Sequence, residues 1–145
     1  MEQSLEIYEK KVRQFFNKDN FVALAGIQID SVDDVQATVF ANVLPQHLNA
    51  NGCVQGGMLY TLADFCFAVL ANYKHPATVT QCGHINYLRP AFTSKLKAQA
   101  QETERVGHIV ISNVTVYDDK DEVVCLCQFN GFVKDVDKDE YYKNY

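Results

Sequence analysis

The sequence lacks a basic stripe, an export signal and an uninterrupted apolar segment. Its 13 Lys and Arg are outweighed by 18 Asp and Glu, and the longest cationic cluster is Lys10-Lys11. This balance predicts no nucleic-acid partner. Residues 1–13 carry charges throughout, unlike a signal peptide. The one long uncharged segment, 48–73, is interrupted by Asp64. We therefore expect a cytoplasmic protein with no membrane span.

Disulfide and metal patterns are also missing. Without an export signal, an odd number of cysteines indicates reduced thiols. The five are Cys53, Cys66, Cys82, Cys125 and Cys127. None belongs to a Cys-x-x-Cys pair or has clustered histidines beside it, so we expect buried structural thiols and no metal. Cys53 near His47 suggests a thiol nucleophile, but no orienting acid is evident in their shared loop.

What the sequence does contain is the pattern of one globular domain over residues 1–145, with 48% hydrophobic and 21% charged residues. Apolar residues at helical spacing predict an N-terminal helix within residues 1–20. Alternation over 35–43 predicts a half-buried strand that Pro45 ends. The apolar run 58–73 predicts a buried central helix.

The second half of the chain alternates in the manner of strands. The predicted strands are 77–88, 95–101, 108–117 and 123–133, with a hairpin turn at Asp118-Asp119. The acidic segment 135–145 predicts a loose tail. Strands clustered after one buried helix indicate an α+β fold in which a sheet wraps that helix.

Asp64 is the only Asp, Glu, Lys, Arg or His within residues 48–73. A carboxylate on a buried helix is destabilising unless it is paired or takes part in chemistry. Two interpretations stay open: Asp64 acts in a reaction, or it caps a loop or faces a hydrated subunit interface.

The segment Gln55-Gly56-Gly57 precedes this helix. Free N–H groups at a helix start can hold a developing oxyanion, although the segment also fits a plain glycine-rich turn. Gly56 and Asp64 are eight residues apart, which is about 12 Å along a helix. A base and an oxyanion donor must both lie about 3 Å from the reacting centre. An enzyme that uses both groups therefore requires two antiparallel copies of the helix, with the site at a dimer interface.

The run from His47 to Asp64 resembles the N…HGG…LAD signature of hotdog-fold acyl-CoA thioesterases of the phenylacetic-acid-degradation type. The run from Ile85 to Ala91 resembles that family's strand ending in LRPA, and the similarity extends over residues 26–133. The resemblance implies a hotdog fold, in which a curved antiparallel sheet wraps one long central helix. It also implies protomers paired edge to edge, as a homodimer or as a homotetramer of two dimers.

The resemblance implies a catalytic role for five matched residues. Asp64 matches a carboxylate that activates water or attacks the thioester carbonyl, and Gly56 matches the N–H that polarises this carbonyl. Asn49 would position water or substrate, and Thr80 would orient the water. Gln55 stands where the family usually has His, and Gln cannot carry a proton near neutral pH.

The resemblance also places coenzyme A against residues 87–92 and 105–110. The candidate substrate-binding residues are Gly57, Tyr87, Arg89, Pro90, Arg105, Gly107 and His108. Arg89, Arg105 and His108 are candidates for phosphate contacts. We expect an acyl pocket with a floor of Met58, Leu62 and Phe65, which suits aromatic or medium-chain acids.

The leading hypothesis is a thioesterase that hydrolyses aromatic or short- to medium-chain acyl-CoA, with no cofactor beyond the substrate's own coenzyme A. Gln55 motivates an alternative, a non-catalytic acyl-CoA sensor or carrier. A third interpretation is a structural interaction domain, which would have no affinity for coenzyme A.

Overall fold

The structure, a computed structural model, describes all of residues 1–145. Its helices are α1 (Glu2–Phe16), α2 (Asn20–Ala25), α3 (Gly56–Lys74) and α4 (Lys138–Tyr141). Its strands are β1 (Ile27–Val32), β2 (Gln36–Asn42), β3 (Thr78–Tyr87), β4 (Lys95–Val106), β5 (Ile109–Tyr117) and β6 (Val123–Val133). The strands form one antiparallel sheet in the order β1-β2-β4-β5-β6-β3. The predicted α+β fold, with a sheet around a long central helix, is confirmed.

The core lies between α3 and the concave face of the sheet. Twelve of the 19 residues of α3 are buried, which makes this helix the centre of the hydrophobic core. The less buried positions are Tyr60, Thr61, Asp64, Ala68 and Lys74, together with the glycines of the first turn. None of the helices combines the length and hydrophobicity needed to cross a lipid bilayer.

Strand β3 forms one edge of the sheet and pairs only with β6. It is ten residues long, and most of its residues are exposed, including the apolar Val79. A long edge strand with unpaired backbone groups is a template for pairing with another chain. Gly83 on this strand lies beneath α3, where the Tyr60 hydroxyl occupies the space that a Cβ would need.

The N-terminal region contains two helices where the sequence predicts one. Helix α1 ends at Phe16, and α2 begins after Asp19, whose carboxylate accepts a hydrogen bond from the Val22 N–H at 3.0 Å. Gly26 ends α2 with φ +71°, a left-handed conformation that favours glycine. Helix α1 lies within the range predicted for the N-terminal helix, and α2 is a second helix that the sequence did not predict.

The C-terminal segment packs against α1 and the end of α3. The Tyr142 side chain is 1% exposed, and the hydroxyls of Tyr8 and Tyr142 both donate to the Asn72 carbonyl, at 3.3 and 3.2 Å. The acidic composition of residues 135–145 predicts a loose tail, and this expectation overlooks the apolar area of the tyrosine rings. Burial of these rings holds the segment in place.

Candidate active site

Asp64 lies in the middle of α3, half-buried, beside β3. The Thr80 hydroxyl donates a hydrogen bond to Asp64 Oδ1 at 2.8 Å, and Oδ2 accepts no hydrogen bond from the protein. Burial raises the pKa of Asp64 above its ordinary value, Asp19 adds to the increase, and the Thr80 hydrogen bond opposes it. The structure thus brings Asp64 and Thr80 together, with the hydroxyl orienting the carboxylate and one carboxylate oxygen left free.

The first turn of α3 presents an unpaired N–H group. The Gly56 N–H has no hydrogen-bond partner in the chain. On either side of it the backbone is held: the Gln55 side-chain oxygen accepts from the Gly57 N–H, and the Tyr87 hydroxyl donates to the Gly56 carbonyl at 3.0 Å. The free N–H is therefore fixed at the positive end of the α3 dipole, an arrangement suited to an oxyanion.

Gln55 acts as the N-cap of α3. Its carboxamide oxygen is occupied by the Gly57 N–H, whereas its amino group has no partner in the protein. The side chain can therefore stabilise the helix and still donate a hydrogen bond toward the space beside Gly56.

The loop before α3 is organised by Asn49 and His47. Asn49 Oδ1 accepts from the N–H groups of Asn51 and Cys53, and its amino group donates to the Cys53 sulfur at 3.3 Å. His47 Nδ1 accepts from the Leu44 N–H, which leaves Nε2 to donate to the Ala25 carbonyl at 2.8 Å. Both ring nitrogens are thus occupied, and His47 has none left to activate the Cys53 thiol.

The predicted substrate-binding residues fall into two groups. The first group lies near the start of α3 or the end of β3 and contains Gly57, Tyr87, Arg89 and Pro90. In this group, Arg89 pairs with Glu122 at 3.1 Å. The second group, at the turn between β4 and β5, is Arg105, Gly107 and His108.

Arg105 and His108 of the second group contact other residues of the same chain. The Arg105 guanidinium donates to His75 Nδ1 at 2.7 Å, and His75 Nε2 lies 2.8 Å from Glu102. Burial lowers the pKa of His75, against the effect of Glu102. His108 stacks on Phe132 and bonds the Val133 carbonyl. No local sequence pattern predicts the pairing of His75 with Glu102, because 27 residues separate them.

A cavity of about 640 Å³ opens beside the start of α3. Of the three residues predicted for an acyl-pocket floor, Met58 lines this cavity, whereas Leu62 and Phe65 do not. Leu62 is fully buried in the core, and Phe65 packs against Phe16 of α1. Both side chains leave α3 on its core-facing side, away from this cavity. No three potential metal ligands cluster anywhere in the structure.

The chain is similar to known proteins over most of its length. Residues 51–125 match the family described as the Thioesterase superfamily. The acyl-coenzyme A thioesterase PaaI of Escherichia coli K12 is 30% identical over 112 residues, 77% of this chain and 80% of that protein. A putative esterase of Archaeoglobus fulgidus is 28% identical and covers 67% of this chain and 64% of its own length.

Solved structures show the same similarity. The E. coli PaaI protein from the phenylacetic acid degradation operon has a TM-score of 0.81 at 27% identity, covering 88% of this chain and 96% of its own. The N33D mutant of PaaI from Thermus thermophilus has a TM-score of 0.74 at 27% identity, with coverages of 79% and 98%. The chain therefore belongs to the Thioesterase superfamily and is a PaaI-like hotdog thioesterase, a hydrolase of thioesters.

Proposed function

We propose that the protein hydrolyses acyl-CoA to a free acid and coenzyme A at sites formed between two protomers. Asp64 acts as general base or nucleophile, and the Gly56 N–H polarises the thioester carbonyl. The observation that carries the proposal is the free Gly56 N–H on the same helix as the half-buried Asp64. Oxygen from water is added to the carbonyl carbon, the C–S bond breaks, and the thiolate leaves and takes up a proton.

The distance between the two groups requires a second copy. Eight residues of helix separate Gly56 from Asp64 by about 12 Å, too far for both to contact one reacting carbon. The exposed edge of β3 offers a surface for pairing with another chain. Antiparallel pairing along β3 would set the two α3 helices side by side, so that Gly56 of one protomer approaches Asp64 of the other.

The other predicted residues support these two groups. Thr80 holds the carboxylate, Gln55 donates through its free amino group, and Asn49 orders the loop that leads into α3. The site of the thioester carbonyl is bordered by Gly57, Tyr87, Arg89 and Pro90. Arg105, Gly107 and His108 form a second cluster for coenzyme A phosphates. Hotdog proteins from Streptococcus pneumoniae and Streptococcus mutans, solved with coenzyme A and acetyl CoA, support this choice of substrate.

The test combines two variants that inactivate different halves of the site. Gly56→Pro removes the N–H at the first helical position, where proline is well tolerated, and Gln55 already has the extended ψ of 137° that precedes proline. We expect its kcat to fall about 10²- to 10³-fold. Gly56→Ala keeps the N–H, and its Cβ meets Tyr87 at an ordinary 3.4 Å, so it is the matched control.

Differently tagged Gly56→Pro and Asp64→Asn chains are then co-expressed, and mixed dimers are isolated on both tags. Each mixed dimer has one intact site, so it should recover about half of the wild-type activity toward acyl-CoA, while each homodimer is inactive. Inactive mixed dimers would contradict a shared site. Saturable acyl-CoA binding without turnover by the wild type would contradict hydrolysis altogether.

A further inference from the structure

We infer that the cavity between α2 and the start of α3 is an acyl-binding pocket for uncharged, apolar acyl groups, and that Phe21 and Leu24 of α2 determine this specificity. The inference rests on the proposed function, because the cavity acquires its role from the Gly56 N–H beside it. It adds to that function a substrate class and two residues outside the catalytic motif.

The position of the cavity connects it to the carbonyl site. Gln55 and Gly57, the neighbours of Gly56 on both sides, line its wall. An acyl chain attached to a carbonyl at the Gly56 N–H therefore enters the cavity directly. The free amino group of Gln55 lies at this entrance, where the thioester oxygen would be bound.

The far wall is apolar and has no other evident role. Phe21 and Leu24 are 64% and 78% exposed, although they belong to a helix whose core contact is made by Val22. Met58 and Leu48 complete the apolar lining. Large apolar side chains kept in water beside a cavity are typical of a ligand-binding surface. A bound acyl chain would remove them from water.

The lining contains no lysine or arginine that could pair with a carboxylate. The ring nitrogens of His47 are both used inside the fold, and the Thr61 hydroxyl donates to the Gly57 carbonyl at 2.8 Å. Burying an unpaired carboxylate here is strongly unfavourable, so the cavity discriminates against acyl groups that end in one.

The test compares two acyl-CoA substrates of equal chain length, hexanoyl-CoA and adipoyl-CoA, which differ by a terminal carboxylate. We expect wild-type kcat/KM to favour hexanoyl-CoA by about 10²-fold. Leu24→Lys places a cation on the pocket wall and should reduce this ratio at least tenfold. Phe21→Lys, a second variant at an exposed position, should reduce it in the same direction. Val35→Lys makes the same change at an exposed residue outside the cavity and should keep the wild-type ratio.

The outcomes separate this inference from the proposed function. Hydrolysis of neither thioester by the wild type would overturn the proposed function. Equal kcat/KM for the two thioesters, or a wild-type ratio in both Leu24→Lys and Phe21→Lys, would overturn the pocket assignment and leave acyl-CoA hydrolysis standing.

Discussion

At the scale of single residues, Asp64 has surroundings that disfavour its charge. Burial raises its pKa above the value it has in the unfolded chain. The ionised carboxylate therefore destabilises the fold at neutral pH, and this penalty disappears as the pH falls below the unfolded pKa of about 3.9. Such a conflict between stability and chemistry is common at functional sites.

We expect Asp64→Asn to lower kcat about 10²- to 10⁴-fold and to raise the melting temperature at pH 7. The gain in melting temperature over the wild type should shrink as the pH approaches 4. Acyl-CoA hydrolysis and thermal unfolding at both pH values check the two parts. Full turnover in Asp64→Asn would refute the assigned role.

Thr80→Val is the companion variant. It removes the hydrogen bond that lowers the pKa of Asp64, so the acid limb of the pH profile of kcat/KM should move to higher pH.

At the scale of secondary-structure elements, the contact between α3 and β3 depends on a glycine. A Cβ on Gly83 would lie 2.1 Å from the Tyr60 hydroxyl and 2.6 Å from the buried Phe129 ring. The Tyr60 side chain can move aside, but Phe129 is enclosed in the core and cannot. This close approach keeps Asp64 of α3 within reach of Thr80 of β3.

We expect Gly83→Ala to reduce the free energy of unfolding by about 1–3 kcal/mol, because the added methyl overpacks the core. Denaturant titration measures the change. Gln81→Ala, at an exposed position on the same strand, should unfold like the wild type. If Gly83→Ala were as stable as Gln81→Ala, α3 and β3 would have room for a methyl group at residue 83, contrary to the close contacts there.

The sequence predicts elements well where a pattern persists over many residues. The alternation of β2 and the long apolar run of α3 have this property, and so do the motifs around Gly56 and Asp64. Helix α2 has only six residues, too few for a period to emerge, so Phe21 and Leu24 had no predicted position. The contact of Arg105 with His75 joins residues 30 apart in sequence, which no local pattern encodes.

At the scale of the whole molecule, the two ends of the chain are joined through α3. Tyr142 fills the space between α1 and the last turn of α3, in edge contact with the rings of Tyr8 and Phe15.

We expect Tyr142→Ala to reduce the free energy of unfolding by about 3–5 kcal/mol. Chemical denaturation measures this, with Lys143→Ala as the control because its side chain is exposed. A small effect of Tyr142→Ala would mean that the C-terminal segment contributes little to the fold.

The same packing determines what an optical experiment on this protein would detect. The chain has no tryptophan and eight tyrosines. Five of them, Tyr8, Tyr73, Tyr141, Tyr142 and Tyr145, form one network of ring contacts around the C-terminal segment. Intrinsic fluorescence therefore reports mainly on this end of the molecule and only weakly on the cavity beside α2. A tryptophan placed at Phe21 would give the cavity a signal of its own, free of any other indole.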